Sequence, residues 1–169
     1  RVDGARAILT DVTDEELKKA CDKKQVYFLE LLKSEGIDAY DSTIKLMGQL
    51  KDRGIKTAII SSSKNLPLIL EKINIHPLYE TYISGHDITK GKPDPQIFQM
   101  AAERLDVSCV NSVVFEDAVL GVEAAKRAGM RCIGVDRYNK PERLNKADAV
   151  VSDLSEVSFE KIAMLFKDD

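Results

Sequence analysis

The sequence has no tryptophan, and its aromatic residues together make up only 6% of the chain. None of them interleaves with lysine or arginine along a basic stripe. The net charge is -3 with acids and bases interspersed, so the groove of stacking rings and cations that holds a nucleic acid is excluded. Cysteine is scarce as well: Cys21, Cys109 and Cys132 are widely spaced and odd in number, with no Cys-x-x-Cys pair. That pattern gives neither a disulfide framework nor a zinc site, and it fits a reducing cytoplasm. No apolar run approaches the ~20 residues of a membrane-spanning helix. The polar start Arg1-Val2-Asp3-Gly4 does not read as a signal peptide. There is also no internal repeat and no low-complexity tract. The expectation is a soluble cytoplasmic protein, monomeric, with neither a membrane nor a nucleic acid as its partner.

What is present is an alternation of short apolar runs and helical patterns. At 169 residues the chain is one ordinary domain, or a domain with a small appendage, able to bury about 70% of its unfolded surface. Thr13-Asp14-Glu15-Glu16 is a capping box. Leu17, Ala20, Cys21, Val26, Phe28, Leu29, Leu31 and Leu32 follow it in a long helical segment that stops near Gly36. With a helical fragment over residues 2–9, this makes a small helical region. A second helix is predicted from Ser42 to Arg53, with Ile44, Met47 and Leu50 on one side and Gly54 as its stop. From Lys56 onward the pattern changes. Residues 57–60, 79–84, 112–115, 131–135 and 149–151 read as strands, with helices between the first four. Such alternation implies a parallel sheet covered on both faces.

Three constellations lie where strands run out. Val113, Val114 and Phe115 lead into Glu116 and Asp117, and a helix follows to Gly129. Ligands of open α/β sheets bind beyond the carboxyl ends of the strands, so this carboxylate pair is placed to hold a hard cation such as magnesium. An isolated pair would equally serve as a helix cap and a solvated acid. The strand ending at Ile60 runs into Ser61-Ser62-Ser63-Lys64-Asn65. Its hydroxyls, cation and amide have the chemistry of a phosphate cradle ahead of a helix, although a plain serine-rich loop fits the same residues. Lys90-Gly91-Lys92-Pro93-Asp94-Pro95 holds a lysine beside a stiff turn. Alone it reads as a surface lysine beside prolines. His76 and His86 match no such pattern and read as structural or solvated. Residues 137–145 read as a polar connection.

Hydroxyl, lysine and carboxylate pair, in that order on successive strand-to-helix turns, resemble motifs two to four of the haloacid dehalogenase (HAD) superfamily. The runs AIISSSKN, KGKPDP and VVFEDAVLGVEAAKRAGM are similar to those of its subgroup containing β-phosphoglucomutase and related sugar-phosphate phosphatases. The resemblance spans nearly the whole chain. It implies an HAD-type Rossmann-like parallel sheet with a small α-helical cap, incomplete here: residues 1–36 as partial cap and 37–169 as core. It further implies that Ser61 binds the transferring phosphoryl group and that Lys92 neutralises charge there. Ser62, Ser63, Lys64 and Asn65 would contact phosphate or substrate, and Glu116 with Asp117 would hold Mg2+. Arg1 and Lys24 match positions at which the family's cap presents cations to the substrate.

The sequence departs from that family in one respect. The family's aspartate nucleophile and its partner two residues on, in D-x-D-G-[TV], have no match. Asp3, Asp11, Asp14 and Asp136 lie in other contexts, so nucleophile and general acid/base are unassigned. In the family the strand bearing that motif is central. Without it two half-sheets with unpaired backbone groups are expected, at ~1–3 kcal/mol for each buried orphan. An additional N-terminal segment of roughly 40 to 50 residues is expected to complete the fold. The reading is a magnesium-dependent phosphotransferase acting on a sugar phosphate by way of an aspartyl-phosphate, mutase or phosphatase. The alternative is a non-catalytic remnant or subunit that keeps a phosphate-binding pocket.

Overall fold

The computed structural model describes residue 6 and residues 8–167. It divides the chain into two compact units, Arg1–Asp38 and Ala39–Asp169. In the first, α1 (Asp14–Ser34) starts at the capping box read from the sequence. The Thr13 hydroxyl accepts from the Glu16 N–H while the Glu16 carboxylate accepts from the Thr13 N–H at 2.8 Å. Three acids in the first turn and Lys33 in the last complement the helix dipole. Leu17, Cys21 and Leu32 are buried and lie on one face at helical spacing, whereas Val26, Leu29 and Leu31 are exposed. The buried stripe is therefore narrower than the apolar residues alone indicate. Of the fragment over residues 2–9, most lies outside the described residues.

The second unit runs α2 (Asp41–Lys51), β1 (Ala58–Ile60), α3 (Leu66–Ile73), β2 (Thr81–Ile83), α4 (Gln96–Leu105), β3 (Val113–Glu116), α5 (Val119–Arg127), β4 (Arg131–Val135), β5 (Ala149–Val151) and α6 (Phe159–Met164). In α2, Leu46 and Leu50 are the buried residues, so the helix is turned slightly from the Ile44–Met47–Leu50 side that spacing predicts. Gly54 and Gly129, at φ of +68° and +76°, occupy the left-handed conformation that stops a helix.

Every strand pair is parallel. β1 pairs with β2 from Ala58↔Thr81 to Ile60↔Ile83. β4 lies between β3 and β5, with Phe115↔Ile133 and Gly134↔Val150 in register. The described strands thus make a two-stranded and a three-stranded sheet. Among the described residues no strand pairs with the second edge of β1 or of β3. β1 is partly exposed along its whole length, while Cys132 and Ile133 of β4 are fully buried, as an edge and a central strand respectively should be.

Two cores form, one on each face. Ile83, Ile97, Phe98, Val114, Val122 and Cys132 belong to one cluster, joining both sheets to α4 and α5. Leu46, Leu50, Ile133, Val135, Val151 and Ile162 form the other, beneath α2 and α6. Cys132 and Ile133 fall into opposite clusters because neighbouring side chains of a strand point to opposite faces. The result is an α/β fold with helices on both faces, as the alternation predicts. No described helix is long and apolar enough to cross a membrane.

Candidate functional site

The carboxyl ends of β1, β3 and β4 open onto one cleft of about 530 Å³ in the second unit. At the end of β1, the Ser61 N–H still donates to the Ile83 carbonyl at 2.9 Å, so the strand ladder carries the chain to the rim. There the backbone turns. The Ser61 hydroxyl oxygen accepts from the Ser63 N–H and the Ser63 hydroxyl oxygen from the Asn65 N–H, each at 3.1 Å. Because each hydroxyl is used as an acceptor, its proton remains available to an anion.

This serine turn is propped from behind by the loop after β2. The Gly85 N–H donates to the Ser63 carbonyl at 3.1 Å. A Cβ on Gly85 would stand 2.3 Å from the Ser62 carbonyl oxygen, so only glycine allows the approach. The loop is held in turn by Asp87, whose carboxylate accepts from the N–H and hydroxyl of buried Ser84 at 2.8 and 2.7 Å and from Arg104 at 2.6 Å. The Arg104 bond and the two from Ser84 hold the Asp87 carboxyl down at about 2. Charge on Asp87, and with it the prop, persists until pH falls toward that value.

Lys92 comes from the turn ahead of α4. Its ammonium lies 2.5 Å from Glu116 Oε2 and 5.1 Å from the ring centre of buried Phe98. The two charged side chains are only 17% and 10% exposed, so the pair is shielded from the screening that makes surface ion pairs weak. The second Glu116 oxygen accepts from the Ala118 N–H at 3.1 Å. A Cβ on Gly121 would stand 2.1 Å from the Glu116 carboxyl carbon, so that glycine makes the room in which Glu116 turns back over the start of α5. Asp117 follows on the cleft wall.

Of the residues singled out from the sequence, Ser61, Ser62, Ser63, Lys92, Glu116 and Asp117 line this one cleft. Lys64 and Asn65 are not among the lining residues, and Asn65 sits at the N-cap of α3. Lys24 is exposed on α1, in the first unit. Arg1 lies outside the described residues. His76 bonds the Tyr79 hydroxyl at 2.8 Å, away from the cleft.

Two polar lining residues were not anticipated. Thr43 enters from the first turn of α2, and Arg137 from the connection after β4 that reads as a mere link. The available signal for Arg137 was its place two residues past the end of a strand. Glu116 and Asp117 offer the hard oxygen donors that magnesium prefers, and so fit part of such an ion's shell. Among the described residues no group of three His, Cys, Asp or Glu is placed to complete it.

A family model described as haloacid dehalogenase-like hydrolase matches residues 4–135. The sequence is 34% identical over 157 residues to beta-phosphoglucomutase of Bacillus subtilis, covering 93% of this chain and 67% of that one. It is 32% identical over 124 residues to validoxylamine A 7'-phosphate phosphatase of Streptomyces hygroscopicus, covering 72% and 58%. The chain spans about half to two-thirds of the length of the curated relatives it matches. The crystal structure of beta-phosphoglucomutase from Clostridium difficile superposes with a TM-score of 0.84 at 28% identity, covering 99% of this chain and 77% of that one. Three motifs on one cleft, the parallel α/β fold and these similarities agree: the chain belongs to the haloacid dehalogenase-like hydrolase family, in its β-phosphoglucomutase-like subgroup.

Proposed function

We propose that the protein is a magnesium-dependent phosphotransferase acting on a sugar phosphate through an aspartyl-phosphate. The observation that carries this reading is the convergence of serine hydroxyls from the end of β1, a shielded lysine from the turn ahead of α4 and two carboxylates from the end of β3 on one cleft. The relatives named as a phosphoglucomutase and a phosphatase of a phosphorylated compound support it.

In phosphoryl transfer, charge spreads over the equatorial oxygens, so fixed donors and cations supply most of the stabilisation. Ser61 and Ser63 would donate their hydroxyl protons to those oxygens. Lys92, held by Glu116, would meet the phosphoryl charge without first having to be ordered. Glu116 and Asp117 would hold a magnesium ion, which when bound would supply charge neutralisation. The nucleophile is an aspartate carboxylate oxygen that bonds to phosphorus as the phosphorus–sugar oxygen bond breaks, and the departing oxygen takes up a proton. Water then splits the acyl phosphate to free phosphate and carboxylate in a phosphatase. In a mutase, a sugar hydroxyl takes the phosphoryl group and gives up its proton. Among the described residues β1 and β3 each have one edge without a strand partner, and a further parallel strand there would bring that carboxylate to the cleft. We read residues 1–36 as part of an α-helical cap, where selectivity among sugars would reside, and residues 37–169 as the core.

Turnover of glucose 1-phosphate and a panel of sugar phosphates, with magnesium and with chelator, tests the proposal. Turnover should require magnesium and should fall below detection in Asp117→Asn, with the unfolding temperature little changed, because Asp117 serves the ion and not the core. Turnover in chelator, or undiminished in Asp117→Asn, would contradict it.

A further inference from the structure

Arg137 is the cleft cation that the three motifs leave unexplained. It extends from the connection after β4, its side chain is 23% exposed, and it lines the same cleft as Ser61, Lys92 and Asp117. Its guanidinium lies 4.0 Å from the ring centre of Tyr40, the residue that precedes α2. A cation–π contact at that distance restrains the group while leaving N–H donors for other partners. Its acidic neighbour, Asp153, stands off at 3.7 Å. The Asp153 oxygens already accept from the Ser42 hydroxyl and the Ser155 N–H, both at 2.9 Å. Asp153 thus balances Arg137 loosely, without the parallel paired bonds that would consume the fork. Lys92, by contrast, is matched by Glu116 at 2.5 Å. Among the described residues that line the cleft, Lys92 is thus closely paired with a carboxylate, whereas Arg137 is held in place but weakly matched.

We propose that Arg137 is a second anion-binding arm of the cleft, which takes an oxyanion of a phosphorylated ligand through its guanidinium edge while Tyr40 keeps the group oriented. The inference rests on the phosphate-cleft reading above. It adds that the anion is held from the β4 side of the cleft as well as from the serine turn. The residue would recognise a phosphate by paired N–H donors, which a lysine in its place could not reproduce.

Calorimetric titration of the protein with inorganic phosphate tests this, comparing wild type with Arg137→Ala, Arg137→Lys and Lys92→Ala. Arg137→Ala should weaken phosphate binding about tenfold or more, about 1.4 kcal/mol or more, with Arg137→Lys recovering only part of the loss because a lysine lacks the paired donors. Equal affinity in wild type and Arg137→Ala, with Lys92→Ala weakened, would overturn the role of Arg137 alone. It would leave that residue as a pin between Tyr40 and Asp153. Absence of phosphate binding in wild type would overturn the cleft reading and this one together. Should Arg137→Ala fail to fold, phenylglyoxal modification of the unaltered protein, mapped by mass spectrometry, decides the matter. Phosphate should slow modification at Arg137 and leave exposed Arg53, outside the cleft, unaffected. Equal rates at Arg137 with and without phosphate would overturn the proposal.

Discussion

At the scale of single residues, the site depends on what is missing as much as on what is charged. Glu116 reaches Lys92 and the Ala118 N–H only because Gly121 carries no side chain, a Cβ there falling 2.1 Å from the carboxyl carbon. Gly121→Ala should therefore displace the carboxylate and separate it from Lys92 without unfolding the domain. The stabilisation that magnesium and orthovanadate together give against heat should shrink to a small fraction of the wild-type shift. Gly91→Ala, whose Cβ would meet nothing within 4 Å, serves as the control and should keep the full shift. An undiminished shift in Gly121→Ala would show that Glu116 takes no part in holding the ion. The Lys92–Glu116 pair was not legible in the sequence, since the partners are 24 positions apart and each motif was read by its own chemistry. The close approaches at Gly85 and Gly121 were equally invisible, because a glycine needed for space has no local signature unless its own φ is unusual.

At the scale of elements, the phosphate-facing turn after β1 is supported by the loop after β2. Ser84, Gly85, Asp87 and Arg104 form one chain of bonds behind Ser61–Ser63. Gly85→Ala places a Cβ 2.3 Å from backbone, at the Ser62 carbonyl oxygen, and backbone cannot swing aside as a flexible side chain can. The variant should bind inorganic phosphate at least tenfold more weakly in calorimetry while β1 and β2 remain paired. Unchanged affinity would mean that the serine turn holds its shape without the loop. Much of this level was legible. The capping box at Thr13, the stops at Gly54 and Gly129, and the strands at Arg131–Val135 and Ala149–Val151 follow from local rules and stand where those rules put them. Arg137 was not legible because a polar loop past a strand has no periodicity. Only the meeting of β4 with α2 brings it to Tyr40 and the cleft.

At the scale of the whole molecule, two parallel sheets share one core cluster through α4 and α5, and their strand ends converge on a single cleft. Alternation of strand and helix was enough to predict parallel pairing, and the order of the three motifs was enough to predict that they converge. Sequence alone did not show how little of the long apolar run in α1 is buried, because burial there is set by which partners the helix meets and not by its own pattern. Thermal unfolding with magnesium, with orthovanadate, and with both tests most directly whether this cleft binds a transferring phosphoryl group together with magnesium. The two together should raise the unfolding temperature by about 5–10 °C when vanadate is near a hundred times its dissociation constant, and neither alone should do so. A vanadate shift that is indifferent to magnesium, or no shift at all, would contradict the account.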